Sequence, residues 1–140
     1  MSKRNRMLLD VDTGIDDALA ILYALLSPQI KVEGITTGFG NTDVVQATEN
    51  TLRVIQVADC GYEVPVAIGA SGPLNRVFPG AVPHIHGHNG IGDAVLPASP
   101  HQPVKESAAE FIVQKVNEAP GELIFGNGGE INESGISFAA

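Results

Sequence analysis

The 140-residue sequence has a single cysteine, Cys60, which excludes an internal disulfide and a zinc site built from cysteines. One free thiol fits a reducing compartment, and we expect a cytoplasmic protein. Positive charge is also scarce, because 8 Lys and Arg stand against 16 Asp and Glu and the net charge is −8. Nucleic-acid binding needs clustered cations, so we do not expect a nucleic-acid partner.

Long hydrophobic runs are missing as well. No apolar stretch approaches the roughly 18–20 residues that span a bilayer, and Asp10 and Asp12 interrupt the apolar run near the start, so we expect neither a membrane segment nor a signal peptide. Hydrophobic residues make up 44% and charged residues 17%, as in folded globular proteins. The length predicts one domain over residues 1–140.

Short apolar strands alternate with amphipathic helices along the chain. The predicted strands are Met7–Val11, Val32–Thr37, Val64–Ile68 and Leu123–Phe125. This alternation predicts an α/β fold with a Rossmann-like parallel sheet and flanking helices. No helix follows the last strand, so the fold is expected to be incomplete, with an apolar edge that favours a homo-oligomer.

Each predicted helix has an apolar face. The first, from about Asp16 to Leu26, presents Leu19, Ile21, Leu22, Leu25 and Leu26. The second is expected to face the core through Val45, Thr48, Leu52 and Ile55. The third, Ala108–Glu118, begins with a capping box of Ser107 and Glu110 and has an inner face of Phe111, Ile112 and Val116.

Residues 69–103 are rich in Gly, Pro and His and lack a periodic pattern, so we predict a long active-site loop there. It contains His84, His86 and His88 in alternation. A transition-metal site is one interpretation, but surface histidines without a metal are the commoner outcome. A histidine in a loop above a carboxylate site is also a candidate substrate contact or proton donor.

Four carboxylates follow the first strand within eight residues: Asp10, Asp12, Asp16 and Asp17. Like charges this close raise one another's pKa unless a cation neutralises them. An all-oxygen set favours Ca²⁺ or Mg²⁺. Helix capping by Asp16 and Asp17 is the structural alternative. Asn41 follows the second strand, where it either joins this site or caps the next helix.

Three motifs together resemble the inosine–uridine-type nucleoside hydrolases: D-x-D-x-G-x-D-D-A from Asp10, I-T-T-x-x-G-N from Ile35, and I-H-G from Ile85. The resemblance runs from Met7 to Leu123. It implies hydrolysis of the N-glycosidic bond of ribonucleosides with a bound Ca²⁺. Asp12 is then a calcium ligand and the general base, and Asp17 is a calcium ligand.

The same resemblance implies that Asp16 and Asn41 bind the ribose, that His86 lies near the nucleobase, and that Asp10 is mainly structural. The chain departs from the family at His88, a position that is usually acidic. The family's second half supplies another calcium-ligating Asp, and the sequence has no counterpart to it. In the family, a strand end offers a backbone carbonyl to the calcium, and Asn127 within residues 126–128 is one possible counterpart. Alternatively, Gly128–Gly135 resembles a later glycine-rich segment of the family.

Two other functions remain open from the sequence. Asp10-Val11-Asp12-Thr13 also resembles the D-x-D motif of haloacid-dehalogenase-type phosphatases, with Asp10 as nucleophile and Asp12 as acid/base. Gly14 follows Thr13 instead of preceding it, and this reading leaves Asp16 and Asp17 unexplained. The other alternative is a non-catalytic remnant of the nucleoside hydrolase fold that binds ribose or metal weakly.

Overall fold

The computed structural model describes residues 3–72, 80 and 83–128. Its strands are β1 Asn5–Val11, β2 Ile30–Thr37, β3 Val66–Ile68 and β4 Leu123–Asn127. Its helices are α1 Ile15–Leu26, α2 Val44–Ala58, the single-turn α3 Pro83–His86, and α4 Ala108–Glu118. Within the described ranges, no helix is both long enough and apolar enough to cross a membrane.

The four strands form one parallel sheet in the order β3-β2-β1-β4, which confirms the predicted fold class. The chain runs outward from β1 to β2 and β3 and then returns to pair β4 with the other side of β1. The direction of winding therefore reverses between β1 and β4. Ligands of open α/β sheets bind at such a reversal, outside the carboxyl ends of the strands.

Helices cover both faces of the sheet. On one face α1 and α2 pack over the larger core, which includes Val11, Ile21, Leu25, Val32, Ile35, Leu52, Val54 and Val66. On the other face α4 places Phe111 and Ile112 against Leu8 and Ala67. A Cβ at Gly34 of β2 would overlap the Phe111 ring, so this glycine lets α4 approach the sheet closely.

Several predicted boundaries shift by one or two residues. β1 and β2 each begin two residues earlier than expected, at Asn5 and Ile30, and α1 begins at Ile15. β3 begins at Val66 rather than Val64, because Pro65 has no N–H to donate to the ladder, although its carbonyl accepts from the Ile35 N–H at 2.9 Å. Ser107 accepts the Glu110 N–H at 3.3 Å, as the capping motif predicts.

The predicted long loop contains α3 and then runs without regular structure to Ser107. Residues 73–79 and 81–82 of this loop lie outside the described residues. Residues 129–140 also lie outside them, so the proposed match of Gly128–Gly135 to a later glycine-rich segment falls mostly on residues that are not described. The role of residues 69–103 as an active-site loop stays a prediction. The single domain over residues 1–140 also stays a prediction.

The predicted core stripe of α2 is wrong at Val45, which is 72% exposed. Thr48 and Leu52 are buried as predicted, and the helix also buries Val44, Ala47 and Thr51. Threonines are tolerated there because their hydroxyls donate to helix carbonyls one turn earlier: Thr48 to Val44 at 2.7 Å and Thr51 to Ala47 at 2.8 Å. Apolar spacing alone cannot reveal buried hydroxyls that are satisfied within their own helix.

Three other residues expected in the core are exposed: Leu19, Leu26 and Val116, at 64%, 61% and 45%. The inner stripe of α1 is narrower than its apolar sequence suggests and consists of Asp17, Ile21, Ala24 and Leu25. Folded proteins expose much apolar surface, so an apolar residue in a helix does not by itself identify the buried face.

We predict that Ile21→Ala and Leu19→Ala, two truncations on the same helix, differ strongly in their effect on stability. Ile21 is fully buried, so its truncation should lower the free energy of unfolding by about 2–5 kcal/mol. Leu19→Ala should change it by only about 0.5 kcal/mol. Chemical denaturation of both variants measures the difference, and equal losses would contradict the packing of α1 described here.

Candidate functional site

Two buried carboxylates lie side by side where β1 passes into α1. Asp12 and Asp17 are only 7% and 5% exposed. The Asp12 N–H donates to Oδ2 of Asp17 at 3.3 Å, and the Asn41 N–H donates to Oδ2 of Asp12 at 3.0 Å. The other Asp12 oxygen, Oδ1, is buried and has no hydrogen-bond partner among the described residues. An orphaned carboxylate oxygen is costly, so it marks a position for a ligand.

The electrostatics of the Asp12–Asp17 pair also indicate a position for a ligand. Burial, the adjacent Asp12 carboxyl and the charge of Asp16 raise the pKa of Asp17 to about 8. Two neighbouring carboxyls cannot both ionise cheaply away from water unless a positive charge lies between them. The site therefore favours either a proton or a cation.

Helix capping does not account for these acids. The residue at the N-cap of α1 is Gly14, whose position involves no side-chain cap, and the Asp17 carboxylate accepts from the Asp12 N–H outside the helix. Asp16 is exposed on the first turn of α1. Both acids are favourably placed near the positive end of the helix dipole, but Asp17 is directed at Asp12.

Asp10 has a different environment from Asp12 and Asp17. It lies within β1, in register with Thr36 of β2 and Asn127 of β4. The Thr36 hydroxyl donates to its Oδ1 at 2.6 Å. Burial raises the pKa of Asp10, the Thr36 hydrogen bond opposes that shift, and the charge of Asp12 adds to it. Asp10 is thus held inside the sheet by its neighbouring strand.

Glycines allow backbone to approach both carboxylates of the pair. A Cβ added at Gly40 would overlap Oδ2 of Asp12, and one added at Gly128 would overlap Oδ1 of Asp17. The Gly128 N–H donates to the Asp10 carbonyl at 2.8 Å, which extends the contact between the ends of β4 and β1. The backbone that lies against the pair therefore comes from the loop after β2 and from the residue after β4.

His86 and Asn41 meet beside the same turn. A Cβ at Gly14 would lie 2.6 Å from both the Asn41 Nδ2 and the His86 Nδ1. The Ile15 N–H, at the start of α1, donates to His86 Nδ1 at 3.2 Å. Because Nδ1 accepts this bond, the ring proton lies on Nε2 and is available as a donor. The structure thus brings Asn41 and His86 to the edge of the Asp12 site.

The other histidines of the loop lie away from this contact. His84 and His88 are exposed, and the His88 N–H donates to Oδ1 of Asp93 at 2.7 Å. Across residues 3–72, 80 and 83–128, no group of three or more His, Cys, Asp and Glu side chains is arranged to hold a metal ion. In the part of the chain that the structure describes, the carboxylates next to each other at this position are those of Asp12 and Asp17.

Sequence reasoning missed the polar residues of α2 that support the turn. The Thr13 and Thr51 hydroxyls share a hydrogen bond of 2.7 Å, and so do those of Thr37 and Thr48. These pairs join α2 to the turn after β1 and to the last residue of β2. The helical spacing of Thr48 and Thr51 in α2 was a signal for a polar contact with the sheet. It can be interpreted only once Thr13 and Thr37 are known to face these two residues.

Comparison with known proteins identifies the family of the chain. The sequence pattern of the inosine-uridine preferring nucleoside hydrolases matches residues 7–129. The chain belongs to this family. It is 42% identical over 124 residues to uridine nucleosidase 1 of Arabidopsis thaliana, an alignment that covers 88% of this chain and 36% of that protein.

Solved structures of family members superpose closely. A plant nucleoside hydrolase matches with a TM-score of 0.86 at 33% identity, covering 93% of this chain and 41% of that one. The purine-preferring ribonucleoside hydrolase of Gardnerella vaginalis matches with a TM-score of 0.84 at 37% identity, covering 91% and 41%. The chain thus spans between about one third and two fifths of the length of these relatives.

We predict that stability in the presence of a chelator falls as pH rises, and that Asp17 causes much of the fall. The pKa of Asp17 is about 8 in the folded protein against an ordinary value of 3.8. Because the folded protein holds this proton more tightly than the unfolded chain, the contribution of Asp17 to the free energy of unfolding is fully present below about pH 4. This contribution is lost as the pH rises through 8. The melting temperature of Asp17→Asn should fall less steeply from pH 5 to pH 8 than that of the unaltered protein.

The matched control is Asp16→Asn, which removes an exposed carboxylate one residue away. It should retain most of the pH dependence, since Asp16 contributes less to the shift than burial and Asp12 do. Thermal melts at several pH values measure all three proteins. Equal slopes for the unaltered protein and Asp17→Asn would show that the pair is not coupled as described.

Proposed function

We propose that this chain carries the cation- and ribose-binding part of a ribonucleoside hydrolase, which cleaves the N-glycosidic bond to give ribose and a free base. Family membership supports the reaction class, and relatives are named as uridine nucleosidases and ribonucleoside hydrolases. The observation that carries the proposal is the buried Asp12–Asp17 pair with its unpartnered Oδ1.

The pair fits a hard divalent cation, and we propose calcium. Asp12 and Asp17 would hold it, because carboxylate oxygens are the preferred ligands of such ions and a positive charge relieves the repulsion between the two groups. The Asn127 carbonyl is a candidate further ligand, since the end of β4 lies in register with Asp10 and leads directly to Gly128 beside Asp17. When bound, the ion supplies Lewis-acid polarisation of a water and of the ribose hydroxyls.

The residues around the pair have distinct roles in this mechanism. Asp12 takes the proton of the water that attacks the anomeric carbon, while the Asn41 N–H holds one of its oxygens in place. Asp16 and the Asn41 side chain hydrogen-bond the ribose. The transition state has oxocarbenium character, as in glycoside hydrolysis generally. His86, with its ring proton on Nε2, faces the nucleobase from the loop.

We predict that Asp12→Asn abolishes base release from uridine and inosine in calcium buffer. The substitution keeps the shape of the side chain but removes the proton acceptor and a negative charge, so the rate should fall at least about 10³-fold. Base release followed by chromatography measures this. Glu118→Gln removes an exposed carboxylate on α4, far from the pair, and should leave the rate unchanged.

The same assay separates the alternatives. Release of phosphate from a phosphomonoester would favour the phosphatase interpretation with Asp10 and Asp12. An absence of turnover with weak calcium binding by calorimetry would favour the non-catalytic interpretation. Base release that survives Asp12→Asn would remove Asp12 as the general base.

A further inference from the structure

Asn50 is the most deeply buried amide side chain near the site, with 1% of its surface exposed. It lies in α2 and carries neither charge nor nucleophile. Its side chain nevertheless makes three hydrogen bonds. Nδ2 donates to the Asn89 carbonyl at 2.7 Å and to the Thr13 carbonyl at 3.3 Å, and Oδ1 accepts from Nε2 of Gln46 at 2.9 Å.

These bonds join two segments that carry different parts of the site. Thr13 belongs to the turn between Asp12 and α1, whereas Asn89 belongs to the loop that follows His86. A single buried amide thereby fixes the distance between the carboxylate turn and the histidine loop. Buried hydrogen bonds of this kind specify one arrangement, because breaking them leaves carbonyl groups unsatisfied.

The loop is shaped to fit this amide. Gly90 has φ +83°, and a Cβ there would lie 3.1 Å from the Asn50 Nδ2 and 3.2 Å from the Thr42 Cγ2. The Asn89 side chain accepts the N–H groups of Ile91 and Asp93 at 3.0 and 2.9 Å. The Gly92 N–H returns to the His86 carbonyl at 2.6 Å. The segment from His86 to Asp93 is therefore a closed turn that can be positioned as a unit.

We propose that Asn50 is a positioning residue that holds His86 against the start of α1, beside the Asp12 site. The structural basis is continuous: Asn50 holds Asn89, the closed turn connects Asn89 to His86, and His86 Nδ1 accepts the Ile15 N–H. Without the Asn50 amide, the loop loses its buried anchor to the carboxylate turn. The consequence for catalysis rests on the proposed function, but the positioning itself does not.

Amide hydrogen exchange at Ile15 tests the positioning without any need for turnover. This N–H is at the first helical position of α1, where no helix carbonyl accepts it, so its protection depends on His86. His86→Ala should raise its exchange rate about threefold to tenfold. Asn50→Ala should give the same increase, while amides of the central strand β1 keep their protection.

Arg53→Ala is the matched control. Arg53 also projects from α2 and donates to a carbonyl of the same loop, at Leu96 and 2.7 Å, but beyond the closed turn. This variant should leave exchange at Ile15 unchanged. If Asn50→Ala does not fold, Asn50→Ser replaces it, because a serine hydroxyl is satisfied within the helix, as those of Thr48 and Thr51 are. Normal protection of Ile15 in the folded Asn50 variant would overturn the proposal.

Base release from uridine in calcium buffer supplies the catalytic measurement. Asn50→Ala should lower kcat/KM as much as His86→Ala, and the double variant should lower it no further, since both changes remove the same positioned imidazole. Additive losses would mean that Asn50 does not act through His86. A chain without any base release would count against the proposed function, whereas exchange at Ile15 would still decide the role of Asn50.

Discussion

Two carboxyl groups buried in contact with each other are the constraint around which this end of the sheet is built. Asp12 and Asp17 repel one another when both are charged, and burial makes that repulsion stronger than it would be in water. The backbone N–H groups of Asp12 and Asn41 offset part of the cost by donating to the carboxylates. The remaining repulsion between the two carboxylates is relieved only by a proton or a cation. This requirement connects the local geometry to the proposed chemistry.

The surrounding scaffold keeps these groups together through small residues and hydroxyls. Glycines at positions 40 and 128 let backbone reach the carboxylates, and Gly14 gives room to Asn41 and His86. Paired threonines fasten α2 to the ends of β1 and β2. None of these residues is reactive. They act by fixing distances, which is what a site with preorganised charges needs.

Much of this organisation was predictable from local patterns. Alternating strands and helices indicated the parallel sheet, and the spacing of Asp12 and Asp17 placed both acids at a strand end. Asn41 and the loop histidines were candidates from their positions in the chain, and the motif resemblance singled out His86. The structure brings Asn41 and His86 to the same turn. The sequence does not reveal Asn50 or Thr51 in the same way, since their partners lie 37 to 39 residues away and include backbone carbonyls.

The misjudged core positions have a related cause. Val45, Leu19 and Val116 are apolar and lie at plausible helical spacing, yet each faces outward. Which stripe of a helix is buried depends on its rotation against the sheet. In α2 that rotation brings two threonines inward, where hydroxyl bonds to the preceding turn and to other threonines make burial tolerable.

The pairing of β1 with β4 has a consequence for biosynthesis. Asp10 and Asn127 are neighbours in the sheet although nearly the whole described chain separates them, and Gly128 lies against the Asp17 carboxylate. As a ribosome produces the polypeptide from its amino end, the acidic turn emerges early and must wait, solvated, for the last strand. The proposed ion site is therefore completed late in folding, because it depends on a parallel pairing between distant segments, which is the slowest class of contact to form.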